Sequence, residues 1–277
     1  MTTDATPARQ RPTPPRPQSA ERERLERRLA RPMGQAIEEW RLIEDGDRIL
    51  VGVSGGKDSY TLLHLLRRFQ KRAPVRFEIF ALHLDQGQPG FNSARIGEYL
   101  EMEGFEYCLV HKDTYSLVQD RISDGDTTCS LCSRYRRGIL YNQAVEHGCN
   151  KVALGHHRED SIETLLLNMF YSGRIAGMPA RLVTDDGRLT VIRPMLYAAE
   201  DDIREYAELM DYPIEPCRVC GDTERDQVGA LLDQLSARTP TERGNLLKAM
   251  SKVGPSHLLD HRLDGVAAGS DGDHFER

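Results

Sequence analysis

Five short apolar runs punctuate this chain with helical patterning in the intervals, and that alternation constrains the fold more than any other feature. The runs are "RILVGV" (48–53), "FEIFALHL" (77–84), "EYCLVH" (106–111), "KVALG" (151–155) and "TVIRP" (190–194). Helices are expected around 59–72, 93–104, 133–148, 159–172 and 199–211. Strands alternating with helices predict a mostly parallel sheet covered on both faces, because each parallel pair needs a crossover and a helix supplies it. A further helix is expected from Glu21, with Leu25, Leu29, Ile37, Trp40 and Leu42 as its apolar members. Asp45-Gly46-Asp47 closes it and turns the chain into the first strand.

With 277 residues, 39% hydrophobic and 29% charged, the chain can build one α/β domain with a sizeable core. The expected architecture is doubly wound and Rossmann-like, a single domain over 21–263 that ends in a helical segment. Residues 1–20 lack apolar periodicity and are expected to be a disordered basic arm, with 264–277 a flexible acidic tail. No apolar run approaches the ~20 residues of a membrane span. The Pro- and Arg-rich start has no signal-peptide core, so a cytoplasmic location and no membrane partner are expected. A net charge of −6 argues against a protein that coats nucleic acid. The charge is uneven, with eight arginines against four acids in 1–31, which permits an RNA partner.

The stretch "ILVGVSGGKDS" (49–59) joins the first strand to the next helix through a glycine pair. A Walker A loop places a hydroxyl directly after its lysine, whereas here Asp58 follows Lys57. In open α/β sheets, ligands sit at the carboxyl ends of strands, where this loop is expected. Gly55 and Gly56 let backbone amides approach an oxyanion, and the helix N-terminus adds partial positive charge. Ser54 and Ser59 supply hydroxyls, and Lys57 a mobile cation. The plain alternative is a Gly-Gly turn before an ordinary helix start. Two other strand ends fit the same site: "ALHLDQG" (81–87), with Asp85, and "LGHHREDSIETLLLN" (154–168), with His156, His157, Glu159 and Asp160. Asp160 is a candidate for magnesium or acid–base work, and helix capping is the structural alternative.

Cysteine usage bears on the substrate. Cys108 and Cys149 stand alone beside apolar residues and read as small buried hydrophobes. Cys129–Cys132 and Cys217–Cys220 are two C-x-x-C pairs, which in a reducing compartment suggest a metal. Spacing admits Zn²⁺ or an iron–sulfur cluster alike, since both accept four thiolates. The first pair is expected to precede an amphipathic helix carrying Arg134, Arg136 and Arg137. These arginines are candidates for holding phosphate groups, with Arg136 preferred for the active site and a solvated basic face as the alternative for Arg134.

S-G-G-x-D-S resembles the signature of the PP-loop ATP pyrophosphatases, whose fold is of the adenine nucleotide alpha hydrolase type. The resemblance implies that Ser54, Gly55, Gly56, Lys57, Asp58 and Ser59 grip the β,γ-diphosphate, with Asp85 and His156 nearby. ATP is then cleaved between its α and β phosphates, and Asp58, Asp160 and Arg136 are the implied catalytic residues, with Mg²⁺. Beyond the loop, "TTCSLCSRYRRGILY", "LGHHREDSIETLLLNMFYSG", "GMPA", "VIRPMLY", "PCRVCG" and "PSHLLD" are similar to the tRNA 2-thiocytidine synthetases over about 34–260. That resemblance implies ATP- and [4Fe–4S]-dependent sulfur transfer to cytidine 32 of the tRNA anticodon loop. It implies three cluster ligands, Cys129, Cys132 and Cys220, leaving Cys217 spare and one iron open for sulfide. A sulfur donor, such as a cysteine desulfurase, is implied as a partner, and a homodimer is compatible with it. Two rivals remain open on the residues alone: a PP-loop ligase for a small-molecule acceptor with structural zinc, and a zinc-stabilised nucleotide-binding module without catalysis.

Overall fold

The computed structural model describes residues 17–119, 128–215 and 224–263. In chain order the elements are α1 (Pro17–Glu39), β1 (Asp47–Gly52), α2 (Lys57–Gln70), β2 (Phe77–Asp85), α3 (Ser93–Met102), β3 (Tyr107–His111), α4 (Thr114–Gln119) and α5 (Thr128–Glu146). Then follow β4 (Lys151–Ala153), α6 (Arg158–Ser172), β5 (Arg181–Val183), β6 (Thr190–Ile192), α7 (Glu200–Met210), α8 (Glu224–Ser236) and α9 (Glu242–Ser251).

The strands form one six-stranded sheet in the order β3-β2-β1-β4-β6-β5. All neighbours are parallel except the antiparallel pair β5–β6 at the edge. The chain steps outward from β1 to β3 and returns to place β4 on the other side of β1, so the strand order reverses between β1 and β4. That reversal opens a crevice at the carboxyl ends of those two strands.

Side-chain alternation along the strands divides the core in two. Ile49, Val51, Ile79, Ala81, Ala153 and Ile192 face α1, α2, α3 and α7, whereas Leu50, Phe80, Leu82, Leu84 and Val152 face α5 through Leu140 and Ala144. Covered by sheet and neighbouring helices together, α2 is buried at every position from Ser59 to Leu66. Each fully buried leucine there contributes about 1.5–3 kcal/mol, which anchors the helix whose first turn carries the glycine loop. A third apolar cluster joins α6 to α8 through Ile162, Leu166, Val228 and Leu232.

Several boundaries differ from expectation. The first helix begins at Pro17, so residues 17–20 are helical, and the rest of the expected arm lies outside the described residues. Trp40 lies beyond that helix, 45% exposed, its indole N–H donating to the Tyr197 hydroxyl at 2.7 Å. Helix α5 starts at Thr128 rather than near 133, so Cys129 and Cys132 lie within its first five residues instead of preceding it. Neither β5 nor the separate helices α8 and α9 carried a distinct sequence signal. Cys149 is buried as expected, while Cys108 is half-buried at the edge of the α5-facing core. The tail lies outside the described residues. Among the described residues, no helix is long and apolar enough to cross a membrane.

Candidate active site

The glycine loop closes β1 onto α2 by its own hydrogen bonds. The Ser59 hydroxyl donates to the Gly56 carbonyl at 2.8 Å and accepts from the Ser54 amide at 3.2 Å, while the Gly56 amide donates to Ser54 Oγ at 3.3 Å. Gly55 has φ +87°, and a Cβ there would stand 3.1 Å from Ile96 Cδ1 and 3.3 Å from Phe91 Cζ. A side chain there is strained by the backbone angle and crowded by Ile96 and Phe91. The result is a tight cradle at the N-terminus of α2, where amides and helix charge favour an anion.

Around the cradle stands a charged network. Lys57 Nζ lies 3.0 Å from both Asp58 Oδ1 and Glu200 Oε1, the latter on the first turn of α7. Burial alone would lower the Lys57 pKa, but those two carboxylates outweigh it and hold the ammonium above its ordinary value. His157, only 5% exposed, reaches Glu159 Oε2 at 3.3 Å through Nδ1, and Asp160 Oδ2 at 3.5 Å and Asp58 Oδ1 at 3.7 Å through Nε2. Burial opposes its charge, yet the Glu159 hydrogen bond and the two aspartates raise its pKa on balance. Glu159 is 2% exposed; burial would raise its pKa, but His157 and Arg158 overcome this and hold it at about 2. Its Oε2 also accepts from the Glu200 amide at 2.9 Å, tying the start of α7 to α6.

His156 behaves oppositely. Burial pushes its pKa down to about 4; Asp160 pulls against that shift, while Arg193, Arg136 and Arg225 add to it. Arg193, at the carboxyl end of β6, is itself 9% exposed and donates to the Pro179 carbonyl at 2.6 Å, leaving its Nε buried without a hydrogen bond. Asp160 accepts from the His157 amide at 3.0 Å, so the capping reading describes one of its oxygens, and the other lies 3.5 Å from Arg225.

Helix α5, on the other core face, brings in Cys132. Cys132 Sγ donates to Gln86 Oε1 at 3.1 Å, and Gln86 directly follows β2 at the same edge of the sheet as the loop. Asp85 is occupied within its own turn: it accepts from the Gly87 amide at 2.9 Å and lies 3.3 Å from His111. Arg134, Arg136 and Arg137 are exposed on α5. The fold thus gathers Ser54–Ser59, His156, Asp160 and Cys132 at one end of the sheet, with Arg136 close enough to act on His156. The side chain of Cys129 and both Cys217 and Cys220 lie outside what is described.

Two groups can be tested against these residues. Asp58 Oδ1 is buried beside the cradle and, apart from its ion pairs with Lys57 at 3.0 Å and His157 at 3.7 Å, has no hydrogen-bond partner among the described residues. That suits magnesium, which commonly takes one or two carboxylates and completes its shell with phosphates and water. Cys129 and Cys132 stand three positions apart within the first five residues of α5, a spacing compatible with thiolate ligation of a cluster. Among the described residues no three potential ligands converge as a complete metal site.

Sequence reasoning overlooked Gln86, Glu200, Arg193 and Arg225. Only Arg193 had a usable signal, a charge directly after the apolar run "TVI" at a strand's carboxyl end. The other three are brought in from elsewhere in the chain by tertiary packing.

Comparison with known proteins fits this geometry. The family described as the PP-loop domain matches residues 22–213. The chain is 52% identical over 254 residues to a tRNA-cytidine(32) 2-sulfurtransferase of Anaeromyxobacter sp. (strain K), covering 90% of this chain and 87% of that protein. It is 50% identical to the protein of the same name from Enterobacter sp. (strain 638), covering 90% and 82%. Among solved structures, the U34-tRNA thiolase NcsA from Methanococcus maripaludis with its [4Fe-4S] cluster superposes with a TM-score of 0.66 at 20% identity, covering 90% of this chain and 81% of that one.

Proposed function

Because this chain belongs to the PP-loop family and, within it, to the tRNA-cytidine(32) 2-sulfurtransferases, we propose that it adenylates O2 of cytidine 32 and replaces that oxygen with sulfur to give 2-thiocytidine. The observation that carries this reading is a shared end of the sheet: the glycine cradle follows β1, and Cys132 hydrogen-bonds Gln86, which follows the neighbouring parallel strand β2.

In this reading the amides and hydroxyls of Ser54–Ser59 hold the β and γ phosphates of ATP. Lys57 leaves its two carboxylates in part to neutralise them, and Asp58 and Asp160 would hold magnesium. His157 keeps Asp58 and Asp160 in register, with Glu159 fixing its ring from behind. Asp85 and His156 border the nucleotide, and Arg136 stands by the α-phosphate as charge builds there. The cytidine O2 attacks the α-phosphorus, pyrophosphate leaves, and AMP remains on the base. Cys129, Cys132 and Cys220 would hold the [4Fe–4S] cluster, which supplies an iron position for sulfide. Displacement of AMP from C2 by sulfur completes the product. The base must leave its stack to enter, which costs least in a single-stranded loop. Arg134 and Arg137 would meet the RNA backbone, and a donor such as a cysteine desulfurase would supply the sulfur.

The test is a set of cysteine variants purified without oxygen. Cys129→Ala, Cys132→Ala and Cys220→Ala should lose iron, the broad visible absorption and thiocytidine formation, while Cys217→Ala keeps all three in large part. Equal loss at Cys217 and Cys220 would favour a four-thiolate site, and a colourless protein holding zinc would overturn the cluster outright.

A further inference from the structure

At the end of α2 remote from the loop, α1, α2 and α7 enclose a cavity of about 240 Å³. With 14 residues in α2, about 20 Å separates it from the glycine cradle at about 1.5 Å per residue. Arg22, Arg67, Arg68, Lys71 and Arg72 line it, and Glu26 is the one carboxylate among the lining residues.

That carboxylate is fully engaged. Glu26 takes Arg22 at 3.0 Å, Arg68 at 2.6 Å and the Tyr206 hydroxyl at 3.1 Å. Arg67 is held by the Glu103 carbonyl at 2.6 Å and stacks 3.9 Å over the Phe105 ring. Lys71 and Arg72 are exposed, and among the described residues neither has an ion-pair partner. On α1, Arg24 is answered by Glu205, Arg27 by Glu23 and Arg28 by Asp202. In a chain of net charge −6, this mouth is therefore a local positive focus.

Its surroundings separate the two kinds of polyanion that fit. None of the large exposed hydrophobic side chains lines the cavity, whereas protein interfaces build an apolar core and are poor in lysine. Basic residues also continue by sequence into this end, since Arg9, Arg11 and Arg16 precede α1 shortly before Arg22. We propose that this cavity is a second RNA contact, in which Lys71, Arg72 and Arg22 hold phosphodiester groups of the tRNA body while the target nucleotide occupies the crevice at the other end of α2. The proposal rests on the tRNA reading above and assigns this surface a positioning role, because phosphate contacts set register and carry no sequence information.

The experiment compares the full chain with a Lys71→Ala, Arg72→Ala double variant. Affinity for tRNA is measured across salt, alongside thiolation kinetics and thermal unfolding. Loss of two phosphate contacts should make the log–log salt slope shallower by roughly 1.5. The KM for tRNA should rise several-fold at low salt while kcat and the unfolding midpoint stay put. Arg188→Ala, which removes a cation already paired with Asp186 at 2.6 Å, should change none of these. An unaltered slope and KM in the double variant would overturn the proposal, as would unchanged tRNA binding with lost affinity for a sulfur-donor protein. A wild-type chain that binds no tRNA at any salt would overturn the thiolation reading, and this site with it. Wild-type binding with an unaltered variant overturns this site alone.

Discussion

Gly155 marks the place where the end of β4 runs against the start of α2. A Cβ there would stand 3.0 Å from the Asp58 carbonyl carbon, 3.1 Å from its oxygen and 3.1 Å from the Ser59 nitrogen. Backbone atoms cannot swing aside as a side-chain tip can, so Gly155→Ala must push the strand end and the cradle apart. Such overpacking should cost about 1–3 kcal/mol of stability. Because misplacement near 1 Å can cost about 100-fold in rate, tRNA-dependent pyrophosphate release should fall at least tenfold in protein that is still folded. Wild-type turnover in folded Gly155→Ala would show that the close approach does not position the site. Asp58 offers a sharper comparison, since its carboxylate meets Lys57 at 3.0 Å and His157 at 3.7 Å, both of them groups of the site itself. Asp58→Asn should keep the fold and the visible absorption while abolishing pyrophosphate release; unchanged release would remove Asp58 from the mechanism.

Helix α2 carries the site at one end and a titration-sensitive core position in its middle. His64 accepts from Arg67 at Nδ1 (3.4 Å) and lies 2.7 Å from the Tyr99 hydroxyl at Nε2, so its ring is neutral with the proton on Nε2. Burial, reinforced by the Arg67 charge, pushes its pKa down to about 4. An unfolded histidine near 6.5 binds its proton first as pH falls, so stability rises with pH between about 4 and 6.5. Acidification through that window should cost on the order of 3 kcal/mol from this residue. Denaturant unfolding at pH 7 and pH 4.5 would show it; His156, also pushed down to about 4, acts in the same window, so His64→Gln should remove about half of the difference, and an equally steep loss in the variant would exonerate His64. Glu159 acts in a lower window: its pKa is depressed to about 2, so its stabilisation is present above about 4.5 and lost toward pH 2.

For the whole molecule, α1 belongs to the domain. Leu25, Leu29 and Met33 are at most 1% exposed and join the core under α2 and α7. Removing residues 1–16 should therefore leave the unfolding midpoint unchanged, whereas removal through Met33 strips three core side chains and should prevent folding, as read by circular dichroism and solubility. A stable protein lacking 1–33 would mean that the sheet and remaining helices close without α1.

The alternation of strand and helix, the glycine loop after β1 and the two C-x-x-C pairs were all written in local sequence, because each depends on spacings of a few residues and on backbone permission. Motif resemblance then carried the family, the tRNA substrate class and most of the proposed site. What lay beyond reach was long-range. Gln86 meets Cys132, Glu200 meets Lys57 and Arg193 acts on His156 only because strand order places β2, β4 and β6 around β1. Likewise "CSLC" was expected to precede a helix, and it lies within the first five residues of α5. Lys71 and Arg72 at the far end of α2 are ordinary residues in sequence; their charge stands out only when folding consumes Glu26 and Glu103 on their neighbours, leaving these two without an ion pair among the described residues. A local pattern can specify backbone and chemistry, but which charges remain uncompensated is decided by the contacts of the folded chain.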